Sequence, residues 1–233
     1  MTWCILICLL PVFGALIYLF VELNLGGIGL KARTYVRLKE TEGLLFATER
    51  TKEAVAGSRA DFRGFARYME GTVGFPAYQG SEAVYYPSGE DKFKDLLKEL
   101  QKAERFIFLE YFIMERGIMW NAILDILKEK VKQGVEVRVM YDGMCSIMLL
   151  PYGYPSELEK YGIKAKMFAP IRPFLSTNQN NRDHRKIVVI DGKVAFTGGV
   201  NLADEYINEK EVYGHWKDTA VKITGKAVRS FTV

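Results

Sequence analysis

The chain is poor in the residues that usually announce chemistry: among 233 residues there are three cysteines and two histidines. Cys4 and Cys8 fall inside an apolar run and Cys145 stands alone, so no pairable spacing suggests a disulfide framework or a zinc site. Metal chemistry would need ligands this chain lacks. Charge of one sign is not in large excess either. Thirty-two basic against 28 acidic residues leave +4, which suits an anionic surface or substrate but is too weak to single out nucleic acid. There is no internal repeat and no low-complexity tract. With 49% hydrophobic and 26% charged residues the composition is that of a globular chain long enough to bury one good core.

Residues 3–21, WCILICLLPVFGALIYLFV, lack charge altogether. Nineteen residues rising about 1.5 Å each reach about 28 Å, close to the hydrocarbon thickness of a bilayer. A signal peptide would want a basic start and a small-residue cleavage site, and neither is present. The expectation is one continuous transmembrane helix, with a kink near Pro11, in an anchor-and-linker segment 1–30. Lys31, Arg33, Arg37 and Lys39 follow it, which by the positive-inside rule puts the remainder on the cytoplasmic side. Residues 31–82 read as a charged, mostly helical juxtamembrane segment that names no chemistry.

Beyond it the pattern sharpens. Ser88 and Asp91 form a start resembling a capping box, and Phe93, Leu96, Leu97 and Leu100 then repeat at helical spacing. Residues 105–113 read as a buried strand. Trp120, Ile123, Leu124, Leu127 and Val131 form a second apolar stripe closed by Gly134, and residues 135–142 alternate as a strand. A helix near 155–161 and strands near 164–168, 185–190, 194–198 and 219–224 follow. Such alternation predicts an α/β sandwich with a mixed, largely parallel sheet flanked by helices.

The most unusual stretch is NRDHRKIVVIDGKVAFTGGVN, residues 181–201, where an apolar strand is entered through a histidine and two cations. Residues two apart on a strand share a face, so His184 and Lys186 point one way and Asp191 the other. Gly198 and Gly199 remove side chains where backbone or ligand must come close, and Asn201 adds an amide. An imidazole, an ammonium and an amide suit a phosphodiester: the imidazole attacks phosphorus or moves a proton, and the others hold the non-bridging oxygens.

The run 184–201 matches, position for position, the H-x-K-x4-D-x6-G-[GS]-x-N pattern of the phospholipase D superfamily. Together with LEYFIMERGIMWNAILDILKEKVKQGVEVRVMYDG, MFAPIRPF, GGVNLADEYIN and HWKDTAV, it resembles the first catalytic half of a bacterial cardiolipin synthase, from about residue 83 to the end. LLPVFGALIYLF is similar to that family's second membrane helix. The resemblance implies a phospholipase D-like domain over 83–233, lacking its C-terminal part, on a bacterial cell membrane. His184 becomes the nucleophile or its acid/base partner, Lys186, Asn201 and Gly199 phosphate ligands, and Asp191 a signature member with mainly structural duty. Asp218 falls where the superfamily places a carboxylate that orients the histidine, the alternative being a surface carboxylate.

The implied reaction joins two phosphatidylglycerols into cardiolipin and frees glycerol, through a phosphohistidine and without metal or other cofactor. The implied partners are phosphatidylglycerol, membrane phospholipid and a second H-x-K-x4-D half, with no nucleic acid. Family members carry two such motifs and this chain carries one. The expectation is therefore a fragment inactive by itself, the alternative being a chain that completes its site by homodimerisation. A phospholipase D-type hydrolase and an inactive membrane-bound remnant are the other functional readings. Three further residues stay open. Glu110 sits in an apolar strand and must find a partner, inside the site or outside it. Arg182 meets lipid phosphate or faces solvent. His215 with Lys217 mimics H-x-K, but Lys222 occupies the aspartate position, so the pair reads as a bystander.

Overall fold

The computed structural model describes residues 2–23, 35–36, 39–41, 43–170 and 182–233. They divide into two units, 1–42 with 171–182, and 43–170 with 183–233.

In the first unit the apolar run is broken. Helix α1 (Thr2–Leu9) and helix α2 (Pro11–Leu23) are separate. The Trp3 and Tyr18 rings meet edge-on with centroids 5.6 Å apart, whereas fifteen residues of straight helix would separate them by about 22 Å. A Cβ at Gly14 would lie 2.7 Å from the Leu6 carbonyl oxygen, so glycine lets the two helices touch. The segment is a helical hairpin, and the expected single spanning helix is corrected. Pro11 is the reason: its ring clashes with the carbonyl four residues back, but it is well placed in the first turn of a new helix. Among the described residues no helix is long and apolar enough to cross a membrane. Ile5, Leu9, Val12, Phe13 and Leu16 of the hairpin are exposed.

The second unit is built on a seven-stranded sheet. Helices α3 (Glu49–Ala56) and α4 (Ala60–Tyr68) precede strand β1 (Ser81–Tyr86) and helix α5 (Gly89–Gln101). Strand β2 (Phe106–Tyr111), helix α6 (Ile118–Lys132) and strand β3 (Glu136–Asp142) follow. Two short helices, α7 (Cys145–Met148) and α8 (Tyr154–Glu159), lead to strand β4 (Lys164–Phe168). Strands β5 (Lys186–Ile190), β6 (Val194–Gly198) and β7 (Ala220–Gly225) and a last turn, α9 (Arg229–Thr232), complete it. The order is β1-β7-β6-β5-β2-β3-β4. Only β2, β3 and β4 run parallel, joined by helical crossovers, while β5 to β7 and β1 pair antiparallel. The sheet is thus mixed, with more antiparallel pairings than expected.

One sheet face carries Ile107, Leu109, Tyr111, Val139, Val188 and Phe196 under α5 and α6, whose Leu96, Leu100, Trp120 and Ile123 are fully buried. The other face holds a smaller cluster of Val189, Ala195 and Val228 with Phe106, Phe108, Ile187 and Phe231 packed on it. Ser88 caps α5, its hydroxyl accepting from the Asp91 N–H. Helix α6 begins at Gly117 and is capped from a distance: the Asp204 carboxylate accepts from the Ile118 and Met119 amides at 2.9 and 2.8 Å.

Candidate active site

Where β5 is entered and β6 ends, the sheet opens into a cavity of about 400 Å³. It is lined by His184, Lys186, Gly198, Gly199, Asn201, Tyr206, Trp216 and Asp218. His184 is exposed and its ring centroid lies 4.7 Å from that of Phe112. Lys186, the first residue of β5, is 6% exposed, donates to the His184 carbonyl at 2.7 Å and stands 5.1 Å over the Phe112 ring. Burial lowers the Lys186 ammonium's pKa, against the pull of Asp218 and Asp183.

The loop holding His184 is fastened from β3. The buried Asp142 carboxylate accepts from the Asp183 N–H at 2.9 Å and from the Met144 N–H at 2.8 Å, tying the end of β3 to the residue before the histidine. Cys145 is buried, donates to the Phe112 carbonyl at 3.0 Å, and has its thiol pushed up to about 11, chiefly by burial. Asn201 is held at both ends: its Oδ1 accepts from the Ile113 N–H at 3.0 Å and its Nδ2 donates to the Tyr206 hydroxyl at 2.8 Å. A second Nδ2 hydrogen is left for the cavity.

The double glycine lets the chain come close at the edge of the cavity. Gly198 has φ 150°, and a Cβ there would strike the Thr219 carbonyl; a Cβ at Gly199 would strike the Asp218 carboxylate. The Gly199 N–H donates to the Thr219 carbonyl at 3.0 Å. The Gly199 amide, expected as a phosphate ligand, is thus engaged by backbone, while the residue itself stands in the cavity lining. Asp218 accepts from the Thr219 N–H at 2.7 Å.

Asp191 lies at the far end of β5, outside the cavity lining. Its carboxylate accepts from the amides of Glu104, Arg105 and Phe106 at 2.9, 2.8 and 2.9 Å and so fastens the start of β2. It stands apart from the groups that line the cavity and holds backbone instead. Burial pushes its pKa up, but the three amides outweigh this and the net direction is down.

Glu110 faces the sheet side opposite Lys186, where Arg185 pairs with it at 2.5 Å and with Asp183 at 2.9 Å. Burial raises the Glu110 carboxyl to about 8, and the neighbouring Asp183 adds to this. Both carboxyl groups pair with Arg185 and stand outside the cavity lining. His215 is exposed beside Glu90, and Lys222 pairs with Asp95 at 2.6 Å, so neither belongs to the lining. Arg182 is half-buried, and residues 171–181 beside it lie outside the described residues.

Sequence reasoning missed Asp142, Tyr206, Trp216 and a lysine, Lys92. Lys92 had a signal: it stands four residues before Leu96 and eight before Leu100, on the face those leucines bury, and it is 2% exposed.

A mixed sheet with helices over its main face, and an imidazole, a lysine and an asparagine at one end, define a phospholipase D-like domain. Residues 96–231 match the family described as "Cardiolipin synthase, PLD-like domain", and the chain belongs to that family. A protein of Streptococcus mutans described as uncharacterized is 47% identical over all of this chain and half of its own length. A cardiolipin synthase of Alkalihalophilus pseudofirmus is 33% identical over 99% of this chain and 46% of its own length. One from Geobacillus kaustophilus is 42% identical over 66% of this chain and 31% of its own. The chain thus spans about half the length of the curated relatives that it matches end to end. Among solved structures, NucT from Helicobacter pylori shares the fold, with TM-score 0.50 at 15% identity over 65% of this chain and 91% of that one.

Proposed function

We propose that the chain is one catalytic half of a cardiolipin-synthase-type phosphatidyltransferase acting on phosphatidylglycerol. The observation that carries this reading is the convergence of His184, Lys186, Asn201 and Asp218 on one cavity. In the reaction one histidine attacks phosphorus, the bond to the glycerol oxygen breaks, and a phosphohistidine forms. A second histidine gives its proton to the leaving alkoxide and then takes one from the hydroxyl of a second phosphatidylglycerol, whose oxygen displaces the first histidine. His184 fills one of these roles. Lys186 and the Asn201 amide hold the non-bridging oxygens, and Asp218 stands with them in the same lining. One phosphodiester replaces another, so the exchange needs no nucleotide.

The second histidine comes from a second half of the same kind, or from another copy of this chain. Proton transfer to a leaving group is worth about 10² to 10⁴ in rate, so the half alone is expected to be inactive. The exposed apolar hairpin supports the reading that this half works at a bilayer surface.

The test uses the chain in detergent with labelled phosphatidylglycerol, alone and co-purified with the C-terminal half of the Streptococcus mutans relative. The chain alone is expected to give no cardiolipin, the pair to give cardiolipin and glycerol, and His184→Ala to abolish turnover without unfolding. Phosphatidic acid as the product would replace transfer by hydrolysis. A rate rising with the square of the isolated chain's concentration would establish the homodimer. No turnover by the pair on any phospholipid would overturn the enzymatic reading.

A further inference from the structure

Lys92 is a cation where the packing asks for a leucine. It lies in the first turn of α5, in the row of Leu96 and Leu100, and is 2% exposed. Its Nζ donates to the Tyr111 hydroxyl at 3.0 Å and sits 5.1 Å from the centre of that ring. A buried ammonium with one neutral hydrogen-bond acceptor is expensive. A methionine would fill the same space without that cost.

The location accounts for the residue. Tyr111 lies directly opposite Lys186 in the β2–β5 register, and α5 is pressed against the cavity: a Cβ at Gly89 would collide with the Tyr206 carbonyl. Glu90 is linked through Asn208 to the Trp216 carbonyl, so the first turn of α5 is part of the cavity's support. The groups placed with Lys92 are Tyr111 on β2, with Lys186 of β5 in register opposite that tyrosine, and the charge of Asp218 before β7. On its own helix, Asp95 is engaged by Tyr86 and Lys222 and Asp91 by the Ser88 cap. Of these, Asp218 is the charge that acts on Lys92. Burial draws the lysine down to about 7, against Asp218.

We propose that Lys92 is a proton-linked positioning residue beside the cavity, taking up one proton when a phosphodiester anion binds and, as the ammonium, steadying Tyr111 opposite Lys186. This rests on the phosphodiester reading of the site. An empty cavity leaves the amine to share its proton with solvent. An anion on Lys186 and Asn201 adds negative charge in a region of low dielectric, and the proton moves from water to the Nζ lone pair. Binding therefore weakens as pH rises and the proton becomes scarce.

Dimethyl phosphate, a diester monoanion that does not titrate near neutrality, is the probe, and the fluorescence of Trp216 reports binding to the full chain. The measurements are made in the His184→Gln, Glu110→Gln background, so that neither the imidazole nor the carboxyl that holds its proton up to about 8 contributes a slope. The expected result is a Kd that rises about tenfold between pH 6.5 and 9, the change that follows when binding shifts one proton's equilibrium tenfold. Adding Lys92→Met should remove the slope and leave the Kd at the high-pH value throughout, with unchanged or higher resistance to urea. A slope that survives Lys92→Met overturns the proposal alone. If Lys92→Met fails to fold, Lys92→Arg decides in its place, since a permanent cation must give tight binding with no slope. Absence of dimethyl phosphate binding at every pH overturns both this proposal and the phosphodiester reading beneath it.

Discussion

Removing the Asp191 carboxylate separates a structural duty from a chemical one. Three backbone amides, those of Glu104, Arg105 and Phe106, depend on it, and the residue is 8% exposed. A donor left without a partner in such a place costs about 1–3 kcal/mol, so Asp191→Ala, which strands three, should destabilise by on the order of 3–9 kcal/mol. Alanine also fits poorly at φ 56°, where Asp191 sits in the left-handed region. Asparagine tolerates that backbone and keeps one carbonyl oxygen, so Asp191→Asn should lose roughly half as much. Urea unfolding of the chain in detergent, followed by tryptophan fluorescence, measures both. The pH dependence has a definite sign. The native carboxyl is held below its ordinary value, so its contribution is complete above the unfolded pKa of about 3.9 and disappears as pH falls through the native value. Asp191→Asn should flatten this acid limb. In the paired protein, Asp191→Asn should keep turnover wherever it stays folded. Loss of turnover with an unchanged urea midpoint would refute the structural assignment.

Two further outcomes follow from the same geometry. Gly199→Ala drives a Cβ into the Asp218 carboxylate, so the paired enzyme should lose at least about tenfold in kcat while the sheet survives, measured by turnover and circular dichroism. Glu110 holds its proton up to about 8 because burial and Asp183 disfavour the second negative charge. A raised carboxyl stabilises the fold fully below its unfolded pKa and loses that contribution as pH climbs toward 8, so the wild-type urea midpoint should fall across this window and Glu110→Gln should hold it level.

Strand–helix alternation from β2 to β4 was legible in the sequence because it follows from local periodicity, and the two-residue spacing of His184 and Lys186 already set them together at the start of β5. The Ser88 cap was legible for the same reason. Strand β1 was not, since Ser81–Tyr86 is an exposed edge strand whose pairing partner, β7, lies more than a hundred residues away. Pro11 was visible, but whether it kinks a helix or ends it depends on packing, and the contacts of Gly14 with Leu6 and of Trp3 with Tyr18 decided for a hairpin. The double glycine announced a close approach without saying to what. Only the fold brought Asp218 against Gly199, Asp142 beneath Asp183, and Lys92 under the cavity, because those neighbours are set by long-range pairing of strands and helices. A buried charge is written in the sequence as one more lysine on a helix; its meaning depends on the groups that the tertiary structure packs around it.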